Sequence, residues 1–269
     1  MLEILEYEFM QNALIAGILV SISAGIIGSL IVVNRMTFLA GGIAHASYGG
    51  IGMAIFFGIP IFFGATLFAI FASILIAVVT FSQREKLDTF IGLIWAVGMA
   101  IGIVFVDMTD GYNVDLMSYL FGSIIAVSRD DIYFISSLLF IIVTTVTIFY
   151  KEILAVSYDS EYASLRGINV KLFYTVILIL SGLTVVGAIK VVGLILVIAL
   201  LTIPIYIAQY ISSSLWSMMI VSSVVSTFFI IIGLWVSYTY DLTSGASIIL
   251  VSSLGLAIFM LVLKLRSRI

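Results

Sequence analysis

Apolar runs of spanning or near-spanning length recur along the chain, at about 12–33, 41–58, 61–81, 89–106, 131–149, 172–189, 191–209, 213–238 and 246–263. A helix needs about 20 mostly apolar residues to cross the hydrocarbon core of a bilayer, so this pattern predicts nine transmembrane helices. The runs are hydrophobic on every side and lack the alternating polar face of a barrel strand. The predicted fold class is therefore all-α, a polytopic membrane helical bundle forming a single transmembrane domain over residues 1–269. Pro60 and Lys190 supply the short breaks between adjacent runs, and each reads as a tight turn or an interruption within an irregular element.

Composition agrees with the pattern. Hydrophobic residues make up 63% of the chain against 9% charged, with a mean hydropathy of +1.34. Most surface as well as most interior must then be apolar, which lipid tolerates and water does not. The absence of cysteine removes disulfides, thiolate nucleophiles and Cys-based metal sites. The net charge of −3 is too small and scattered to direct nucleic-acid binding.

The placement of the charges is more informative than their sum. Lys and Arg concentrate in short cytoplasmic loops. With the N-terminus outside, nine of the 11 basic residues fall inside: Arg35, Arg84, Lys86, Lys151, Arg166, Lys171, Lys264, Arg266 and Arg268. Only Arg129 and Lys190 remain outside, together with Glu3, Glu6, Glu8, Asp107, Asp110, Asp115, Asp130, Asp131 and Asp241. The C-terminus is then cytoplasmic and the outer face acidic. The acidic first residues lack the basic start of a signal peptide, so the N-terminus reads as retained.

Two connections exceed a turn. The external segment, about 107–130, ends in a fairly apolar stretch over 116–127, which reads as an interfacial or re-entrant piece. The cytoplasmic segment, about 150–171, contains a short helix that Ser157 or Asp159 can cap and Gly167 can end. Such an exposed element is suited to receiving a partner. Within the spans, small residues including Gly25, Gly28, Gly187 and Gly193 allow close helix approach. Pro204 removes a backbone hydrogen bond and predicts a kink, with Thr202 nearby to satisfy a freed carbonyl.

Enzyme chemistry is poorly represented. There is no His-Glu-x-x-His pair, Walker-type glycine loop or Gly-x-Ser-x-Gly elbow, so the chain carries no ATP-hydrolysing site of its own. The single histidine, His45, lies in an apolar run beside Ser47, Tyr48 and Gly41, Gly42, Gly49 and Gly50. An imidazole there is expensive unless it faces a cavity or a partner, and it is also a metal ligand. A structural hydrogen bond and a pathway role both remain open on the residues alone. The glycines reduce bulk around it and invite backbone irregularity.

At this point the chain resembles the membrane permeases of zinc, manganese and iron ABC uptake systems. The resemblance is carried by Gly28-Ser29-Leu30-Ile31-Val32, Arg35-Met36 and the Gly41–His45 region, then by Leu87-Asp88-Thr89-Phe90-Ile91-Gly92. It continues through Met117-Ser118-Tyr119-Leu120-Phe121-Gly122-Ser123, Gly187, the run from Gly193 to Leu201 before Pro204, and Ser244-Gly245-Ala246. Many members have an Asp four residues before the His, where this chain has Gly41. The residues Ile205-Tyr206-Ile207 after Pro204 and Thr243 before Ser244 also depart from the family pattern.

The resemblance implies a type II ABC importer permease that moves a divalent transition metal into a prokaryotic cytoplasm, with zinc favoured narrowly over manganese or ferrous iron. It implies a homodimer in the bilayer, two cytoplasmic ATPase subunits that bind the ATP, and an extracytoplasmic metal-binding protein, with no stably bound cofactor. It makes His45 and Ser47 pathway candidates, His45 a transient metal ligand, and Gly41, Gly42, Gly187, Gly193 and Pro204 conformational or packing positions. It places ATPase coupling at Glu161, Ala163, Arg166 and Gly167. The readings from other classes are a secondary transporter, and a structural or signalling membrane protein without an ATPase.

Overall fold

The computed structural model describes residues 7–81, 83–109, 122, 124–194 and 197–266, and every absence noted below refers to these residues. Twelve α-helices follow one another: α1 Glu8–Val33, α2 Thr37–Phe57, α3 Ile61–Thr80, α4 Leu87–Asp107, α5 Arg129–Ile148, α6 Tyr150–Tyr158, α7 Ser160–Leu165, α8 Val170–Val192, α9 Val197–Leu200, α10 Ile203–Ile211, α11 Leu215–Tyr240 and α12 Ser244–Arg266. Single 3-10 turns occupy Arg84–Lys86 and Ile124–Ala126. Eight of the helices are long and apolar enough to cross a membrane.

The helix ends follow from local chemistry. Ser128 and Asp131 form a reciprocal capping box at the start of α5. Asn169 and Ser214 accept from backbone N–H groups at the starts of α8 and α11. Gly58 closes α2 in a left-handed conformation with φ 66°, where a glycine has no Cβ clash. Pro60 then precedes α3, so the division between the second and third crossings falls where the sequence breaks.

Near residue 190 the break falls elsewhere than the sequence pattern places it. Lys190 lies inside the last turn of α8, and the helix ends at Val192, followed by Gly193 with φ 81° and ψ 166°. The seventh run is not one helix. It forms α9 and α10 on either side of Leu201-Thr202, and Pro204 sits in the first turn of α10. Gly193 packs beside Gly122 at one end of the bundle, whereas Gln209 and Ser212 line a cleft beside Arg35 at the other. The broken segment thus traverses the bundle as a ninth, interrupted crossing.

Helices α1, α2 and α8 form the interior, while α4 and α12 present broad apolar faces such as Leu93, Val97 and Val104, and Leu250, Leu254 and Leu261. Hydroxyls in the interior are satisfied largely by their own helices. Ser29, Thr80, Ser181 and Ser252 each donate to the carbonyl four residues back. Between helices, Ser222 Oγ donates to the Gly25 carbonyl at 3.0 Å, and a Cβ on Gly25 would lie 2.5 Å from the Ser223 backbone nitrogen. These contacts join α1 to α11 at backbone range.

Candidate functional site

Helix α2 stays unbroken despite its five glycines, because the space of their missing side chains is filled by neighbouring helices, by backbone at Gly49, Gly50 and Gly52 and by the side chains of Ile198 and Ile91 at Gly41 and Gly42. Gly42 abuts Ile91, Gly49 meets the Gly98 carbonyl, and Gly52 meets Gly102. The residue numbers rise together on both elements, so α2 and α4 run parallel with α3 returning between them in sequence. On the other side of α2, Gly50 abuts Gly64 of α3. The glycines next to His45 therefore serve close packing and introduce no irregularity in the helix.

His45 is half-buried on this helix. Its Nδ1 lies 2.9 Å from the Gly41 carbonyl, which can only accept, so Nδ1 carries the proton and donates. The ring stacks on Trp95 of α4 with centroids 4.1 Å apart and planes at 25°. No described residue hydrogen-bonds Nε2, whose lone pair is left available. Ser47 is fully buried and donates to its own helix at Ile43, 2.7 Å away. The hydroxyl proton is thus engaged within its own helix.

The position four residues before His45 is closed by the broken segment. A Cβ at Gly41 would stand 2.5 Å from Ile198 Cδ1 of α9. Gly41 is therefore a packing position that seats α9 against α2, and a carboxylate there would have to displace Ile198. Beyond α9, Thr202 Oγ1 donates to the Ile198 carbonyl at 2.7 Å, which compensates for lost helical bonding before Pro204. Gly187 takes part in no such close approach, since a Cβ there would meet only Leu138 Cδ1 at 3.5 Å. His45, Gly41, Gly42 and the α9–α10 segment thus come together, while Gly187 stands apart.

A second cluster lies at the end of the bundle that carries Arg35. Helices α6 and α7 form the segment between α5 and α8. Asp159, rather than Ser157, caps α7 by accepting from the Glu161 and Tyr162 N–H groups. Gly167 ends it with φ 77°, its N–H donating to the Ser164 carbonyl. Ala163 is fully buried and anchors the helix, whereas Glu161 and Arg166 are exposed. Arg166 Nε donates to the Tyr162 hydroxyl at 3.0 Å. Leu165 projects from the tip at 89% exposure.

Beside this element is a cleft of about 650 Å³ lined by Asn34, Arg35, Ser157, Gln209 and Ser212, among others. Asn34 donates to Ser157 Oγ at 2.9 Å, tying the α1–α2 turn to α6. The opposite end carries two ion pairs. Arg129 and Glu8 are 2.8 Å apart and exposed, while Lys190 and Asp131 are 3.5 Å apart with side chains only 27% and 11% exposed.

No group of three or more His, Asp or Glu that could hold a metal ion occurs among the described residues. A cation at His45 would meet one imidazole, with water or backbone oxygen completing its shell, which fits transient passage better than storage. Trp95, Ile198 and Leu165 belong to these sites without having been singled out from the sequence. Leu165 carried a visible signal, an apolar residue in a polar loop; Trp95 and Ile198 acquire their roles only from helix register.

Residues 6–264 match the ABC 3 transport family. An uncharacterized membrane protein of Synechocystis is 44% identical over 255 residues, covering 95% of this chain and 91% of that protein. The manganese transport system membrane protein MntC of Listeria monocytogenes is 34% identical, covering 93% of this chain and 89% of that protein. Among solved structures, PsaBC from Streptococcus pneumoniae in complex with Fab matches with a TM-score of 0.86 at 31% identity, over 96% of this chain and 93% of that chain. The chain belongs to the ABC 3 transport family, as a multi-pass membrane permease.

Proposed function

We propose that this permease carries a divalent transition metal into the cytoplasm, manganese ahead of zinc or ferrous iron, while ATP is hydrolysed on separate subunits. The observation that carries the path assignment is the available Nε2 of His45 inside an apolar crossing, where an imidazole without a task is costly. The preference for manganese, in place of the narrow preference for zinc drawn from the sequence, is supported by the name of the Listeria relative. A lone imidazole without thiolates does not itself favour zinc.

In this reading two copies enclose the path, and the bias of Lys and Arg orients the N-terminus outward and the C-terminus inward. A pair of ATPase subunits docks on α7. Ala163 fixes that helix to the bundle, Gly167 ends it, and Glu161, Arg166 and the projecting Leu165 meet the partner. A metal-binding protein delivers cargo at the acidic outer face. ATP binding on the partner shifts the permease between outward- and inward-facing states through unequal contacts at α7.

The test is ATP-dependent uptake in proteoliposomes containing the permease, its ATPase and its binding protein, with manganese, zinc and ferrous iron at controlled free concentrations. Accumulation of manganese at the lowest concentration is the expected result. Selective zinc accumulation would reverse the metal assignment, and no uptake from a verified complex would remove the transport reading.

A further inference from the structure

A half-buried aromatic stack in a bilayer needs a reason beyond hydrophobicity, because lipid tails leave little hydrophobic drive to bring side chains of two helices together. Trp95 is placed by two contacts that fix its position and orientation. Its Nε1–H donates to Met99 Sδ, one turn further along α4, at 3.2 Å. One turn from Trp95, Gly98 brings α4 against α2, where a Cβ would lie 2.6 Å from Ala46 Cα. The backbone contact sets the register of the two helices, and the thioether holds the indole. The result is a flat surface lying 4.1 Å from the His45 ring.

We propose that Trp95 is a positioning residue for metal passage, holding the imidazole of His45 so that Nε2 faces the path. The bond from Nδ1 to Gly41 fixes one edge of the ring and leaves rotation about that edge free. The Trp95 face removes this freedom, as offset aromatic stacking favours one plane. In the neutral ring the Gly41 carbonyl keeps the proton on Nδ1 and the lone pair on Nε2, and the Trp95 face holds the plane in which that lone pair points. A divalent cation then binds that lone pair while the Nδ1 proton stays in place, so no proton is released when the metal is captured. A group that orients a metal-binding imidazole typically affects affinity about 10–100-fold, and an aromatic face acting alone belongs at the lower end.

The proposal rests on His45 lining the path, and the test separates the two claims. His45 is the only histidine of the chain, so ¹⁵N-histidine labelling of the full-length permease in lipid nanodiscs reports one ring. The expected wild-type spectrum has a protonated Nδ1 and a bare Nε2, with zinc, used as a diamagnetic probe, shifting Nε2 and leaving the Nδ1–H signal intact. Trp95→Ala should mix the tautomers and raise the uptake KM about tenfold with kcat little changed. Trp95→Phe, which keeps a stacking face, should restore most of both readouts, and Met99→Leu should lie between. Unchanged tautomer and KM in Trp95→Ala, in a preparation where His45→Ala abolishes uptake, overturns the positioning role and spares the path. Unchanged uptake in His45→Ala overturns the path reading and this proposal with it.

Discussion

Helix α2 contains five glycines between residues 41 and 52 and remains continuous, whereas the crossing from 193 to 212 breaks around a single glycine and a proline. What separates them is the destination of the missing side chain. At Gly50, Gly52, Gly98 and Gly102 the space belongs to backbone atoms of another helix, and the glycine keeps helical dihedrals. At Gly193 a φ of 81° and ψ of 166° takes the chain out of the helix altogether. Glycine thus joins α2 to its neighbours by close packing, and at Gly193 ends α8 by its conformation, while the interruption within the following crossing falls at Leu201-Thr202 beside Pro204.

The largest way to break this contrast is to fill the α2–α4 seam. Gly98→Leu should cost about 3 kcal/mol or more, since backbone atoms of Ala46 occupy the required space and cannot swing aside. Thermal unfolding in detergent, monitored by aggregation on size-exclusion chromatography, should show the loss. Retention of a wild-type melting temperature would mean that the seam is looser than described.

A smaller effect is expected at the break. Gly193→Ala should destabilise by about 1–3 kcal/mol, because its backbone lies in a region open almost only to glycine. Uptake should fall with it as the α9–α10 segment shifts from its place beside α2. If the melting curve does not move while uptake falls, the residue acts on motion rather than on stability. The smallest effect belongs to Gly92→Ala, where no described atom beyond its chain neighbours and the local backbone of α4 lies within 4 Å of the added carbon. Helix propensity predicts a gain of up to about 1 kcal/mol, read from the same melting curves. The opposite sign would point to a surface that this glycine contacts in the assembled transporter.

Much of this architecture was legible in the sequence, for reasons that differ by residue. The apolar runs locate the long helices because a span must be apolar over its whole length. Pro60 and Gly167 mark ends because their effects are local, whereas Pro204 reads as a kink and opens a separate helix, and the cap of α7 is open between Ser157 and Asp159 until the backbone is seen. His45 stands out because an ionisable group in such a run is rare. The break at residue 193 was less visible: Lys190 looks like an interruption, yet its position near a helix C-terminus and beside Asp131 lets it remain helical. The Trp95 stack and the Ile198 contact were not readable, because each depends on the relative register of segments separated by 50 residues or more in the chain.

The turn between α1 and α2 places Arg35 in the left-handed region, with φ 58°, where an L side chain costs about 1–2 kcal/mol. A glycine would adopt that turn without the penalty, but it would remove the one cation between the first two crossings. Turn geometry and topogenic charge therefore make opposing demands on one residue. The first hairpin tolerates local strain while keeping a positive charge where it turns, so easing the backbone with a glycine would cost the hairpin the kind of charge that biases orientation in a bilayer.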